Sequence, residues 1–177
     1  QQDVGKGKTN RVLDQIISPS TSLDYCYSYD ANYLMSIYLE PHKNQKDDFY
    51  ICAYSFIDLS VGDNYLYETS SRKGDFQYGI DKLYQVIKTY NPKEILLHVN
   101  TEWLNGNDWI YTREKLAVDL ELDIDGRAFH YRANGIPKNY DKPSFQNAYL
   151  GSIFQQNSML TPIEFLDLEK YPSAIIC

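Results

Sequence analysis

Four sets of residues in this chain carry side chains that do chemistry elsewhere. Gly7-Lys8-Thr9 ends like a phosphate-binding loop. Such a loop needs G-x-x-x-x-G-K-[ST] between a strand and a helix, so that backbone N–H groups cradle the phosphates and the lysine reaches them. Its first glycine would fall at Gln2, with no strand before it, so the segment reads as a basic linker. Asp58, Glu68, Asp75 and Glu94 are the acids to compare with a two-metal nuclease, which needs three or four converging carboxylates. Asp58 stands alone at a strand end before Ser60-Val61-Gly62, where an aspartate capping turn amides is the better reading. His42, His98 and His130 show no His-x-His or Glu-x-x-His spacing and read as structural or solvated. Cys26, Cys52 and Cys177 are odd in number and contain no C-x-x-C pair, which predicts reduced thiols of an intracellular protein. With no G-x-S-x-G elbow either, no catalytic, metal or cofactor residue is assigned within the chain.

The balance of charge narrows the partners. The chain has 177 residues and a net charge of -7, against the basic face of a stand-alone nucleic-acid binder. Basic residues concentrate only at Lys6, Lys8 and Arg11, the one candidate for contact with a DNA backbone. The 17 tyrosines suit half-buried strands and interfaces better than base stacking, which needs a basic surround. No apolar run approaches the ~20 residues of a membrane helix, and no signal peptide is visible. The chain does not start with Met and stops within the apolar run Ser173–Cys177, so we expect a piece of a larger protein.

The elements that must position these residues follow from periodicity. Asn32–Glu40 and Phe49–Leu59 alternate as strands about a polar loop from Pro41 to Asp48, and the second is apolar on both faces, as a covered strand is. Tyr65–Thr69 returns as a third strand after the turn at 61–64. Phe76, Ile80, Leu83, Tyr84 and Ile87 fall at helical spacing, stopped by Asn91-Pro92. Glu94–Val99 is a fourth strand, Trp109, Arg113, Leu116 and Leu120 mark a second helix over about 107–121, and Ala128–Arg132 is a fifth strand. Three meander strands followed by two helix-crossover strands make an α/β, RNase H-like mixed sheet flanked by helices. Phe145–Phe154 reads as a helix. Thr161-Pro162-Ile163-Glu164 has the N-cap, first-position proline and capping-box glutamate of another, expected over 162–171.

Several segments, in order, resemble the MutS family of DNA mismatch repair ATPases. Arg11-Val12 with Ile16-Ile17-Ser18-Pro19-Ser20-Thr21 is similar to the R-V-x-x-I-x-T-P-G-T segment leaving the mismatch-reading domain, with Ser20 in place of the usual glycine. Asn32-Tyr33-Leu34 with Ile37 is similar to the opening of the connector domain, and Phe56–Gly62 to its x-x-D-x-S-T-G strand and turn. Pro92-Lys93-Glu94-Ile95-Leu96 is similar to its P-x-E-I-L strand. Leu160–Glu164 with Leu168–Pro172 resembles the entry to the helical core, in a branch found in viral and organelle genomes. The resemblance implies a linker over 1–24, an RNase H-like connector over 25–138 and the start of an α-helical core or lever domain over 139–177. It implies that the parent is a dimeric ATPase binding mispaired DNA, with ATP and magnesium held outside this chain. The connector would couple the two ends and offer a surface to a MutL-type partner, itself catalysing nothing. The alternatives are an active RNase H-like metal-dependent nuclease and a plain interaction domain using its tyrosine-rich face.

Overall fold

The computed structural model describes residues 18, 31–43, 48–71, 74, 75, 77–102, 112–123, 126–154 and 159–177. Strands β1 (Tyr33–Lys43), β2 (Asp48–Asp58), β3 (Asn64–Ser70), β4 (Glu94–Val99) and β5 (Ala128–Ala133) form one open sheet in the order β3-β2-β1-β4-β5. β2 is antiparallel to both β1 and β3, whereas β4 runs parallel to β1 and β5 parallel to β4. The switch follows from the connections: hairpins reverse the chain, and helical crossovers return it to run in the same direction. The molecule is therefore an α/β protein with a mixed sheet.

One sheet face holds the main core. Met35, Ile37 and Leu39 of β1 lie beside Phe56, Tyr54 and Cys52 of β2 and beside Ile95, Leu97 and Val99 of β4. Helix α1 (Tyr78–Tyr90) lays Ile80, Leu83 and Ile87 on them, and helix α2 (Arg113–Asp119) adds Leu116, followed by Leu120 and Leu122. α1 runs to Tyr90, one turn beyond its expected last apolar position. Asn91 then takes the left-handed conformation (φ 43°), its N–H reaching Ile87 O at 2.8 Å, and Pro92 prevents continuation. Arg127 locks this corner, donating to Pro92 O, Glu121 O and Asn91 Oδ1. Phe76 and Trp109, expected on the helical stripes, lie outside the described residues.

Two expectations need correction. β1 continues as strand through Pro41 to Lys43, where a loop was expected, because its register with β2 runs unbroken to Asp48. The helix expected over 162–171 is only α4 (Pro162–Phe165). Its start is as read: Thr161 accepts from Glu164 N, and Glu164 accepts from Thr161 N at 2.7 Å. Asp167 then adopts φ 55°, a conformation Asp tolerates, and breaks the run before a 3₁₀ turn at Leu168–Lys170. That break turns the chain back to the sheet, where a second 3₁₀ turn (Ala174–Ile176) caps the face opposite α1. Tyr38 and Ala53 form a second, smaller core there with Ala174, flanked by Leu66, Ile136, Tyr171, Ile176 and Cys177. Leu66 and Ile136 thus share apolar packing with Tyr171, Ala174 and Ile176. Helix α3 (Pro143–Ile153) lies against α4, leaving Tyr149, Ile153 and Phe165 exposed.

Candidate functional site

The acids singled out by type are placed apart. Asp58 ends β2, and its Oδ1 accepts from Ser60 N at 2.9 Å and Asn32 N at 3.3 Å. Its backbone also closes the turn, with Asp58 N to Asp63 O at 2.9 Å and Gly62 N to Asp58 O at 2.7 Å. Gly62 sits at φ 83°, which explains the glycine at that position. The carboxylate is thus taken up by the turn that the local sequence anticipates.

Glu68 does something the sequence did not signal. From β3 its Oε2 accepts from Ser173 N at 2.8 Å and Ala174 N at 3.2 Å, across more than a hundred residues of chain. It pins the C-terminal 3₁₀ turn over Tyr38 and Ala53. Glu94 begins β4, is nearly buried, and receives Ser18 Oγ on one oxygen and His130 Nε2 at 3.2 Å on the other. Asp75 is exposed. Asp58 lies on the α1 face, whereas Glu68 and Glu94 lie on the opposite face, separated by β2 and β1. Among the described residues, no three His, Cys, Asp or Glu side chains stand close enough to hold a metal ion.

A second polar cluster joins the carboxyl end of β4 to the middle of β1, and sequence reasoning missed it. Tyr38 Oη donates to Glu40 Oε2 at 2.6 Å and accepts from Asn100 Nδ2 at 3.0 Å. Asn100 Oδ1 accepts from Glu102 N, and Asn100 N reaches Leu39 O. Burial and the neighbouring carboxylates hold the Tyr38 phenol protonated far above its ordinary range. The interlocking bonds satisfy the buried polar groups and tie the end of β4 to β1. Nearby, a shallow groove of about 440 Å³ is lined by His98, His130, Arg132 and Tyr140. His98 Nε2 lies 3.1 Å from Asn134 O. The two histidines therefore make local bonds to the protein.

The remaining candidates, Lys6, Lys8 and Arg11 for DNA and Gly7-Lys8-Thr9 for phosphate, lie outside the described residues, as do Cys26 and the side chain of His42. Of the described thiols, Cys52 is fully enclosed, and burial pushes it far up. Burial pushes Cys177 up to about 12.

Four of the motifs lie on folded units, whereas the Arg11–Thr21 motif, apart from Ser18, lies outside the described residues. Asn32-Tyr33-Leu34 opens β1, Asp58–Gly62 is the β2 end and turn, Pro92–Leu96 leads into β4, and Thr161–Glu164 is a complete capping box. No family model matches the chain. A DNA mismatch repair protein mutS homolog from Acanthamoeba polyphaga mimivirus aligns with it over 170 residues at 29% identity, covering 88% of this chain. The chain is similar to a viral MutS homologue. This MutS-like relationship is distant, and the chain spans 15% of the length of the curated relative it matches. No helix among the described residues is long and apolar enough to cross a membrane.

Proposed function

We propose that this chain is the connector module of a MutS-like mismatch repair ATPase. The alignment with the mimivirus homologue over 88% of the chain carries the reading. The strand order β3-β2-β1-β4-β5, with β2 alone reversed, supports it, because an RNase H-like connector requires a three-strand meander extended by two crossover strands. In this reading the parent protein binds mispaired duplex DNA as a dimer and turns over ATP with magnesium on segments other than these. The chain transmits strain between the two ends and offers a surface to a MutL-type partner. Its described residues suit a mechanical role. The carboxylates at Asp58, Glu68 and Glu94 are engaged in holding turns and strand ends, and none is aimed with others at a common point.

The test uses the whole protein that contains this chain. ATP turnover is measured with no DNA, with a perfect duplex and with a mispaired duplex. The connector reading expects stimulation by the mispair, and expects Ile87→Ala, which loosens the α1–sheet packing, to diminish that stimulation while sparing DNA-independent turnover. A whole protein indifferent to mispairs refutes the assignment. So does metal-dependent cleavage of DNA or RNA by the 177-residue chain that is lost on Asp58→Asn.

A further inference from the structure

We propose that the outer edge of β3 is a docking site for an extended peptide segment of a partner protein, added to the sheet as a sixth strand. β3 is an edge strand of the described sheet, paired on one side only, with β2. Which of its backbone groups face outward follows from the ladder. Ser71 N bonds Tyr50 O and Asp58 N bonds Asp63 O, so the bonded pairs include Tyr50–Ser71 and Asp58–Asp63. Bonded and non-bonded pairs alternate in an antiparallel ladder, so Thr69, Tyr67 and Tyr65 bond inward to Cys52, Tyr54 and Phe56. The N–H and C=O groups of Leu66 and Glu68 therefore point away from the sheet, and no bond to them is found among the described residues. A row of spaced outward donors and acceptors is the chemistry that recognises another extended backbone.

Three further features mark this edge as usable. Its seven residues, Asn64 to Ser70, contain no lysine or proline, and the register with β2 shows no bulge, so these three devices that blunt an edge are missing, and its one charged side chain, Glu68, is engaged with Ser173 N and Ala174 N. The opposite edge, β5, carries His130 and Arg132. A groove of about 420 Å³ wraps the β3 edge, walled by Tyr67 and Tyr78 on the α1 side and by Glu68, Lys170 and Tyr171 on the other. Tyr65 and Tyr67 are 42% and 48% exposed and are held from behind by Phe56 and Tyr54, with ring centroids 4.8 and 5.3 Å apart. They offer a fixed aromatic surface to alternate side chains of an incoming strand. A peptide fits better than a second copy of this chain, because each copy carries a net charge of -7. For the same reason the favoured segment is basic, with aliphatic or aromatic residues at every second position.

The test uses the 177-residue chain and a labelled synthetic peptide alternating Val or Tyr with Lys or Thr, long enough to match the seven residues of β3. We expect saturable binding by fluorescence anisotropy and slowed amide hydrogen exchange at Leu66 and Glu68. The same peptide N-methylated throughout its backbone should not bind. Leu66→Pro removes an outward N–H that β2 does not use, a substitution edge strands accept, together with the Leu66 side chain's packing on the second core. It should weaken the peptide about tenfold, the scale of one or two lost main-chain hydrogen bonds, while the exchange of β2 amides is unchanged. If Leu66→Pro does not fold, the N-methylated peptide alone decides. Absence of binding, equal binding of the N-methylated peptide, or binding that leaves Leu66 and Glu68 exchange unchanged overturns the proposal. Sedimentation of the chain alone as a dimer with those two amides protected also overturns it, in favour of a second copy.

Discussion

Removing the Glu68 carboxylate should release the C-terminal turn while leaving the sheet folded. Glu68 Oε2 accepts from Ser173 N and Ala174 N at 2.8 and 3.2 Å, and both donors belong to buried residues. A hydrogen bond to a charged acceptor contributes about 1.5–3 kcal/mol, and the longer of the two contributes less. Glu68→Ala should therefore cost about 2–4 kcal/mol in the docking equilibrium of residues 171–177, whereas Glu68→Gln, which keeps a neutral carbonyl, should cost about 1 kcal/mol. The loss in global stability has a ceiling, the docking free energy of the segment itself, because a detached turn has nothing further to lose. Amide exchange reads the local term directly. The Ser173 and Ala174 amides should exchange roughly thirty- to a thousandfold faster in Glu68→Ala, while those of β1 and β4 keep their protection. The denaturant slope should also fall, since less surface is left to expose on unfolding. Unchanged exchange at Ser173 and Ala174 would show that Tyr171, Ala174 and Ile176 hold the turn through packing alone, and would refute the clamp.

Other consequences can be measured alongside. Burial raises the Cys177 thiol from 9.0 to about 12, so the folded chain holds that proton more tightly than the unfolded one. Its stabilising contribution is complete below pH 9 and is lost as pH rises from 9 towards 12, visible as a falling denaturation midpoint. At pH 8 alkylation of Cys177, followed by peptide mapping, should be slow in the native chain and faster in Glu68→Ala. Asp58→Ala should lower stability by about 1–2 kcal/mol through loss of the bonds to Ser60 N and Asn32 N, with Asp58→Asn costing about 1, both read by urea titration. Duplex DNA should bind weakly, with a salt slope of log K no steeper than about -3 from Lys6, Lys8 and Arg11, and binding should vanish when all three are neutralised.

Local order was legible from the chain where short-range chemistry decides it. The five strands, the α1 stripe of Ile80, Leu83 and Ile87, the Asn91-Pro92 stop and the Thr161–Glu164 capping box all appear near their read positions, because alternation, helical period and capping act within a few residues. The turn role of Asp58 was legible for the same reason: its partner Ser60 N is two residues away. Tertiary structure decided the rest. Glu68 and Ser173 are 105 residues apart, and nothing in either neighbourhood signals the other. The continuation of β1 to Lys43 depends on β2 across the hairpin, which outweighs the weak strand preference of Pro41. The stop of α4 at Phe165 depends on the core that Tyr171 and Ala174 gain by turning back, a gain no helical pattern over 162–171 can display. The outward groups of Leu66 and Glu68 likewise arise only from pairing: alternation shows which side chains share a face, but the ladder alone decides which backbone groups remain unused.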